Sequence, residues 1–454
     1  MTKRVVIIGG GAAGPKTAAK LRRENPDIII EMYSDEKNIS YSACGLPYYI
    51  ENIIPDINEL LVRSPEEFER HGIRVFLEHR ALKIFPKKQM VLFLKKSGEE
   101  IEVYYDILVL ATGARPYIPP IKNIDFKNVF TLRTLEDGVK IKEIMKKSKT
   151  VTIIGFGYIG IEILEAFVKN GLRVNVIDKN PHIMGMYDDD IAQDIQSYIL
   201  DRDGDKVKIY NHQYAARFEG HNGIADKVIT TNNDSMDTDF VVICAGIVPN
   251  SELAVDAGLK LGVQKSIWVN SHLKTSYPGI YAVGDCCQKL HIVTKKYCWL
   301  PLGSTANKEG RCAAINIAND NCDFDGVLGA AVSRYFDFTI AMTGITEREA
   351  IQLGYDVLTT KVVKEDRAGY MPNASKITLK LVVDANSREI IGVQGIGTGD
   401  AEKRVSTASL AIMNAIKVDE FMSLDLPYSP PFSTAIDPLL SAVQIISDKL
   451  KKMK

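Results

Sequence analysis

The stretches Arg4-Val5-Val6-Ile7-Ile8-Gly9-Gly10-Gly11-Ala12-Ala13-Gly14 and Val151-Thr152-Ile153-Ile154-Gly155-Phe156-Gly157-Tyr158-Ile159-Gly160 repeat one pattern, their first glycines 146 residues apart. Each is a short apolar run ending in G-x-G-x-x-G. A helical stretch follows, Pro15 to Glu24 in the first copy and through Val168 in the second. A further apolar run closes each unit, Ile28 to Tyr33 and Arg173 to Ile177. A strand, a glycine turn, a helix and a second strand are the context a dinucleotide-binding turn requires. The first glycine permits the tight turn, the second lets backbone approach a pyrophosphate, and the third lets helix and strand pack closely. The free N–H groups at the helix start then face the phosphates.

Asp178 closes the second unit, 21 residues after Gly157. A carboxylate there accepts hydrogen bonds from an adenosine ribose and repels a 2′-phosphate, which favours NADH; the adjacent Lys179 leaves NADPH open. The second copy could instead be an empty duplicate, but its glycines and its acidic residue are all present. Two more buried-strand patterns run into small-residue turns, Tyr105 to Ala114 and Ile280 to Asp285. Such turns lie where parallel strands meet a ligand.

The 454 residues allow two or three domains. Lys and Arg number 56 against 57 Asp and Glu, so no global positive field recruits nucleic acid or acidic membranes. No apolar run is long enough to span a bilayer. Met1-Thr2-Lys3-Arg4 enters a strand at once, which leaves no room for a signal peptide. The seven cysteines are scattered, without C-x-x-C or metal-type Cys/His spacing, so neither zinc nor a disulfide framework is expected. A reducing, cytoplasmic setting is the expectation.

Ser40-Tyr41-Ser42-Ala43-Cys44-Gly45-Leu46-Pro47-Tyr48-Tyr49 resembles the S-x-x-x-C-G-x-P-Y-Y signature of the single-cysteine branch of the FAD-dependent pyridine nucleotide-disulfide oxidoreductases. That branch holds coenzyme A-disulfide reductases, NADH oxidases, NADH peroxidases and persulfide reductases. Ala111-Thr112-Gly113, Gly284-Asp285, Pro301 to Asn307 and Leu424 to Phe432 are similar too, so the likeness covers essentially the whole chain. It implies two doubly wound α/β domains and a C-terminal α+β dimerisation domain. The FAD domain would comprise 1–117 and 246–324, the NAD(P)H domain 118–245, and the dimerisation domain 325–454, with no appended rhodanese unit after Lys454. Residues implied on FAD are Gly9, Gly11, Ala12, Ala13, Gly14, Ala81, Ala111, Thr112, Gly113, Asp285, Pro301, Leu302 and Thr305. Gly155, Gly157, Tyr158, Ile159, Gly160, Glu162, Asp178 and Gly246 are implied on NADH. The family's usual Glu at the end of the second FAD-fold strand is replaced by Ser34, followed by Asp35, and these would share the ribose.

Cys44 is the expected redox thiol. It precedes a short helix carrying Pro47 in its first turn, a seat expected to lower the thiol pKa. Neither Tyr49 nor Ile39 supplies a second cysteine at the dithiol spacing, so the oxidised form would be a mixed disulfide, a persulfide or a sulfenic acid. A buried structural thiol is the alternative, and the reading given to the other six cysteines. Branch oxidases and peroxidases resemble one another in a histidine within the first glycine turn; Ala12 stands there instead. The C-terminal His–Glu pair of the dithiol reductases is also missing, which moves proton transfer to Tyr370 and Tyr428. One of these, by resemblance, reaches the partner subunit's cysteine. Ser40, Arg22 and Lys403 are the candidate substrate contacts. The expected reaction carries electrons from NADH through FAD to Cys44, and on to a coenzyme A disulfide or persulfide, in a homodimer. An NADH oxidase cycling Cys44 through sulfenic acid, or an electron-transfer flavoprotein with a protein partner, are the alternatives.

Overall fold

A computed structural model describes residues 3–453; Met1, Thr2 and Lys454, on which the reading of the termini rests, lie outside it. The first sheet is parallel throughout, in the order 280–282, 107–110, 4–8, 29–33, 73–76. Val5, Val6 and Ile7 are fully buried, because crossover helices cover both faces of such a sheet. The helix Ala13–Glu24 starts two residues earlier than the sequence pattern suggests. Pro15 thus falls in its first turn, where a missing N–H costs nothing.

The second sheet is also parallel, in the order 207–210, 173–177, 150–154, 240–243, 129–131. Both sheets therefore share a core order, in which the glycine-turn strand sits centrally. They differ in their fifth strand. In the first sheet it comes from the later segment Ile280–Ala282, and in the second from the earlier segment Val129–Thr131. The chain crosses between these units twice, and the crossings Ala114–Pro116 and Ile247–Pro249 pair antiparallel.

The third unit is a five-stranded antiparallel sheet in the order 331–335, 338–344, 390–397, 376–384, 357–365. Helices Ala401–Met413 and Pro438–Lys452 share a core with Leu379, Leu381 and Val393 on that sheet. Tyr335, Phe338, Ile340 and Ile396 instead join the core of the second unit. Buried Lys380 locks this contact, with its Nζ 3.3 Å from Asp188, 2.7 Å from Asp190 and 2.7 Å from Glu347. Among the described residues no helix is long and apolar enough to cross a membrane, and no cluster of metal-ligating side chains occurs.

The two outer glycines of the first turn are sterically fixed. A Cβ on Gly9, at φ +120°, would lie 2.1 Å from the Ala111 carbonyl oxygen, and one on Gly14 would lie 2.0 Å from the Gly9 carbonyl oxygen. Gly11 has no such neighbour within 4 Å. Gly14→Ala should therefore cost about 1–3 kcal/mol or more of stability, whereas Gly11→Ala should leave flavin-free protein as stable as the parent. Thermal melts of the two stripped variants check this, and equal melting temperatures would refute the turn geometry.

Candidate active site

Three helices begin at this site without a side-chain cap: Ala13–Glu24 after Ala12, Tyr158–Lys169 after Gly157, and Gly303–Asn319 after Leu302. Side-chain caps do close the starts of four other helices, at Ser64, Thr134, Thr346 and Asp437. None of the three carries an acidic residue in its first turn. Their leading N–H groups are left for an anionic ligand.

The chain fits a bound FAD at the first turn. Gly11 is exposed and open, and the buried Asp285 Oδ1 has no hydrogen-bond partner. An orphaned buried carboxylate oxygen is costly, and a ligand hydroxyl would satisfy it. Asp285 lies beside the start of the Gly303–Asn319 helix, with Pro301 and Leu302 half-buried just before it and Thr305 buried in its first turn. Ala13 packs under Gly284, where an added Cβ would meet it at 3.0 Å. Ala111, Thr112 and Gly113 follow the strand Ile107–Leu110. Thr112 Oγ1 donates to the Asn250 carbonyl at 2.6 Å, while Asn250 Nδ2 donates to the Thr112 carbonyl at 2.8 Å. This turn is thereby tied to the second crossing.

Ser34 is buried at the end of its strand, and its Oγ accepts from Glu36 N at 3.3 Å. Asp35 faces solvent. Glu36, which the sequence reading passed over, is the half-buried carboxylate here. Its Oε2 accepts from the Tyr41 hydroxyl at 2.7 Å, and burial raises its pKa. Ala81 lies on the antiparallel strand His79–Phe85, half-buried against the first core.

At the second turn Asp178 is buried and already occupied. It accepts from Phe156 N at 2.8 Å, and from Asn180 N and Nδ2, each at 2.8 Å. These bonds brace the glycine loop against the end of the strand. Gly155 and Gly160 are packed tightly, Ile159 is exposed, and Tyr158 and Gly157 are partly open. Gly246 is exposed at φ +109°, its carbonyl accepting from Tyr117 N at 2.9 Å.

Cys44 sits in the 3-10 turn Ala43–Gly45, directly before the helix Leu46–Glu51. The turn is fastened on two sides. Ser40, at φ +52°, donates its N–H to the Gly10 carbonyl at 2.7 Å, and Ser42 N donates to Leu60 O at 2.8 Å. Cys44 is exposed on one side, yet enough protein surrounds it for desolvation to raise its pKa, and the Glu162 carboxylate raises it further. Arg133 opposes both. The expected lowering by the helix N-terminus is thus corrected. The helix has only six residues, and the charges facing the sulfur come from elsewhere in the fold.

Glu162 lies on the helix Tyr158–Lys169, and burial pushes it up to about 7. Ser333 Oγ donates to its Oε1 at 3.4 Å. Two turns on, Lys169 pairs with both Glu165 and Glu51, clamping the Cys44 helix to this one. Arg133 was not singled out from sequence. Its Nη2 lies 3.3 Å from where a Gly113 Cβ would stand, which puts a cation between the first unit's turn and the thiol.

Of the expected substrate contacts, only Ser40 adjoins Cys44. The Arg22 guanidinium bonds the carbonyls of Pro26 and Gly72, the latter at 2.7 Å, near the far end of its helix from the glycine turn. Exposed Lys403 donates to Phe432 O at 3.1 Å. Its neighbour Arg404 is buried and spends its donors on Asp437, Asp400, Asp366 and Ser433. Tyr370 and Tyr428 are exposed on the third unit, close enough for their phenols to interact.

Two glycine turns on two parallel sheets, with a single cysteine held against the first, define an oxidoreductase that handles two dinucleotides. Residues 3–310 match the model of the pyridine nucleotide-disulphide oxidoreductases, and residues 330–439 match the dimerisation domain of the same family. The chain belongs to that family, whose members use FAD and NAD(P)H. It is 34% identical over 98% of its length, and 99% of the relative, to an NAD(P)H sulfur oxidoreductase (CoA-dependent) of Pyrococcus furiosus. An NADH oxidase of Methanocaldococcus jannaschii is also 34% identical, over 99% of both chains. The structure of an NAD-dependent persulfide reductase from A. fulgidus superposes with a TM-score of 0.96 at 35% identity, covering 99% of this chain and 84% of that one.

The thiol environment has a direct test. Removing the negative charge in Glu162→Gln favours the Cys44 thiolate, so the thiol pKa should fall; Arg133→Met should raise it. The pH dependence of iodoacetamide alkylation at Cys44 reads both shifts. An unmoved midpoint in Glu162→Gln would show that this carboxylate does not face the sulfur.

Proposed function

We propose that this enzyme is an NADH-dependent reductase of a low-molecular-weight disulfide or persulfide derived from coenzyme A. The observation carrying this reading is the lone exposed thiol of Cys44, fastened through Ser40 to the first glycine turn. The P. furiosus relative's CoA-dependent sulfur chemistry and the A. fulgidus relative's persulfide chemistry support it. The first turn, the Ala111–Gly113 turn, Asp285 and Thr305 would hold FAD, which supplies the two-electron link between a nicotinamide and sulfur. Gly155 to Gly160, Asp178 and Gly246 would hold NADH, with NADPH a weaker donor because Asp178 stands at the end of its strand.

The Cys44 thiolate attacks one sulfur of the substrate disulfide. A Cys44–sulfur bond forms, the substrate S–S bond breaks, and the departing sulfur leaves as a thiolate. A phenol, Tyr428 or Tyr370 of the partner subunit in a homodimer, donates the proton that thiolate takes up. Two electrons, which NADH would supply by way of FAD, and one proton then break the Cys44–sulfur bond, returning the Cys44 thiolate and releasing the second thiol. With no cysteine at the dithiol spacing, the sulfur bound to Cys44 is itself the stored oxidising equivalent. The compartment that suits such a thiol is a reducing cytoplasm.

Steady-state assays test the reading. NADH oxidation should be stoichiometric with coenzyme A disulfide consumed and slow with oxygen alone. Cys44→Ser should retain FAD and lose at least about 100-fold in disulfide reduction, as removal of a nucleophile does. Full activity in that variant would sink the mechanism. Rapid oxygen-dependent turnover without a disulfide would favour the oxidase chemistry named for the M. jannaschii relative.

A further inference from the structure

Beneath the Gly284–Cys286 turn lies a pair of charges that the proposed reaction does not use. Lys289, on the short strand Lys289–Leu290, and Glu309, within the helix Gly303–Asn319, both have fully buried side chains. Lys289 Nζ stands 3.3 Å from Glu309 Oε1, an ionic contact without hydrogen-bond geometry. Their hydrogen bonds go to the turn. Glu309 Oε2 accepts from Gly284 N at 2.7 Å, and Lys289 Nζ donates to Gly284 O at 2.9 Å and Cys287 O at 3.1 Å. Trp299 Nε1 donates to Asp285 O at 2.7 Å, and Ile267 N to Cys286 O at 2.8 Å. Gly284 itself is at φ +80°, a conformation that needs outside support to be held in one form. In the middle of this gripped backbone sits Asp285, with its buried, unpartnered Oδ1.

A buried ion pair is a poor source of stability. Desolvating both charges costs about what their attraction returns, and apolar replacements are often neutral or stabilising. Two such charges that spend three hydrogen bonds on one turn therefore point to geometry rather than to folding free energy. We propose that Lys289 and Glu309 are positioning residues for the flavin: they fix the Gly284–Cys287 backbone so that the Asp285 carboxylate is pre-aimed at a polyol hydroxyl of the cofactor. The inference rests on the reading of Asp285 as an FAD ligand. Preorganisation of this kind lowers the ordering cost at binding, so its loss appears in affinity rather than in the fold.

The test uses flavin-stripped protein and compares the parent with Asp285→Asn, with the charge-free double variant Lys289→Met/Glu309→Gln, and with the triple combination. FAD dissociation constants come from equilibrium dialysis, and melting temperatures from the same stripped samples. The double variant should bind FAD at least about tenfold more weakly while melting at or above the parent temperature. Its effect should be less than additive with Asp285→Asn, because both act through one carboxylate. Parent-like FAD affinity in the double variant, or full additivity in the triple, overturns the positioning role while leaving Asp285 as a ligand. Unchanged affinity in Asp285→Asn overturns the underlying reading itself. Should the double variant fail to fold, Lys289→Met alone at about pH 6, where an unpaired buried Glu309 takes up a proton, must show the same tenfold loss or the proposal fails.

Discussion

The hydrogen bond from Ser40 N to the Gly10 carbonyl, 2.7 Å long, joins the two halves of the chemistry. Gly10 lies in the turn whose shape is dictated by the contact of Gly9 with the Ala111 carbonyl and of Gly14 with Gly9. Ser40 lies four residues before Cys44, in a left-handed conformation that a non-glycine residue holds only under tertiary constraint. The nucleotide turn and the thiol loop are thus one mechanical unit. Packing that fixes the turn also fixes the sulfur, and Leu60 beneath Gly45 and Ser42 closes the loop from the other side.

The second unit reaches the same sulfur through Arg133 and through one helix. Tyr158–Lys169 begins at the second glycine turn, presents Glu162 to Cys44, and fastens Lys169 to Glu51 on the Cys44 helix. It also holds the third unit, where Phe336 N donates to Glu165 at 2.9 Å and Ser333 to Glu162. One helix therefore fixes the second glycine turn, the thiol segment and the third unit's sheet relative to one another. Glu165 is nearly fully buried yet paired with Lys169 and a backbone N–H, as a charge so placed must be.

What the sequence disclosed and what it hid divide along a physical line. The glycine turns and the Cys44 signature are local: steric and spacing demands within about ten residues write themselves into the chain. Arg133, Glu36, Lys289 and Glu309 carry no local signature. Lys289 and Glu309 meet only because the Gly303–Asn319 helix crosses over the first sheet, and Arg133 reaches the thiol only through the approach of its strand end to Gly113. Glu162 was legible as part of a nucleotide motif, but its proximity to the sulfur depends on how two units dock. The thiol pKa was misjudged for the same reason: a local rule about helix ends was outweighed by desolvation and a carboxylate from 118 residues away. Arg22 shows the converse error, since a cation at a helix end looks free until the Pro26 and Gly72 carbonyls fold around it.

The raised thiol pKa bears on how one cysteine can store an oxidising equivalent. Burial and Glu162 penalise only the charged thiolate; a disulfide-bonded or persulfidated sulfur is uncharged there and escapes the penalty. The chain's own groups therefore hold Cys44 away from the free anion, as neutral thiol or as bonded sulfur, with Arg133 as the counterweight that keeps the thiolate reachable.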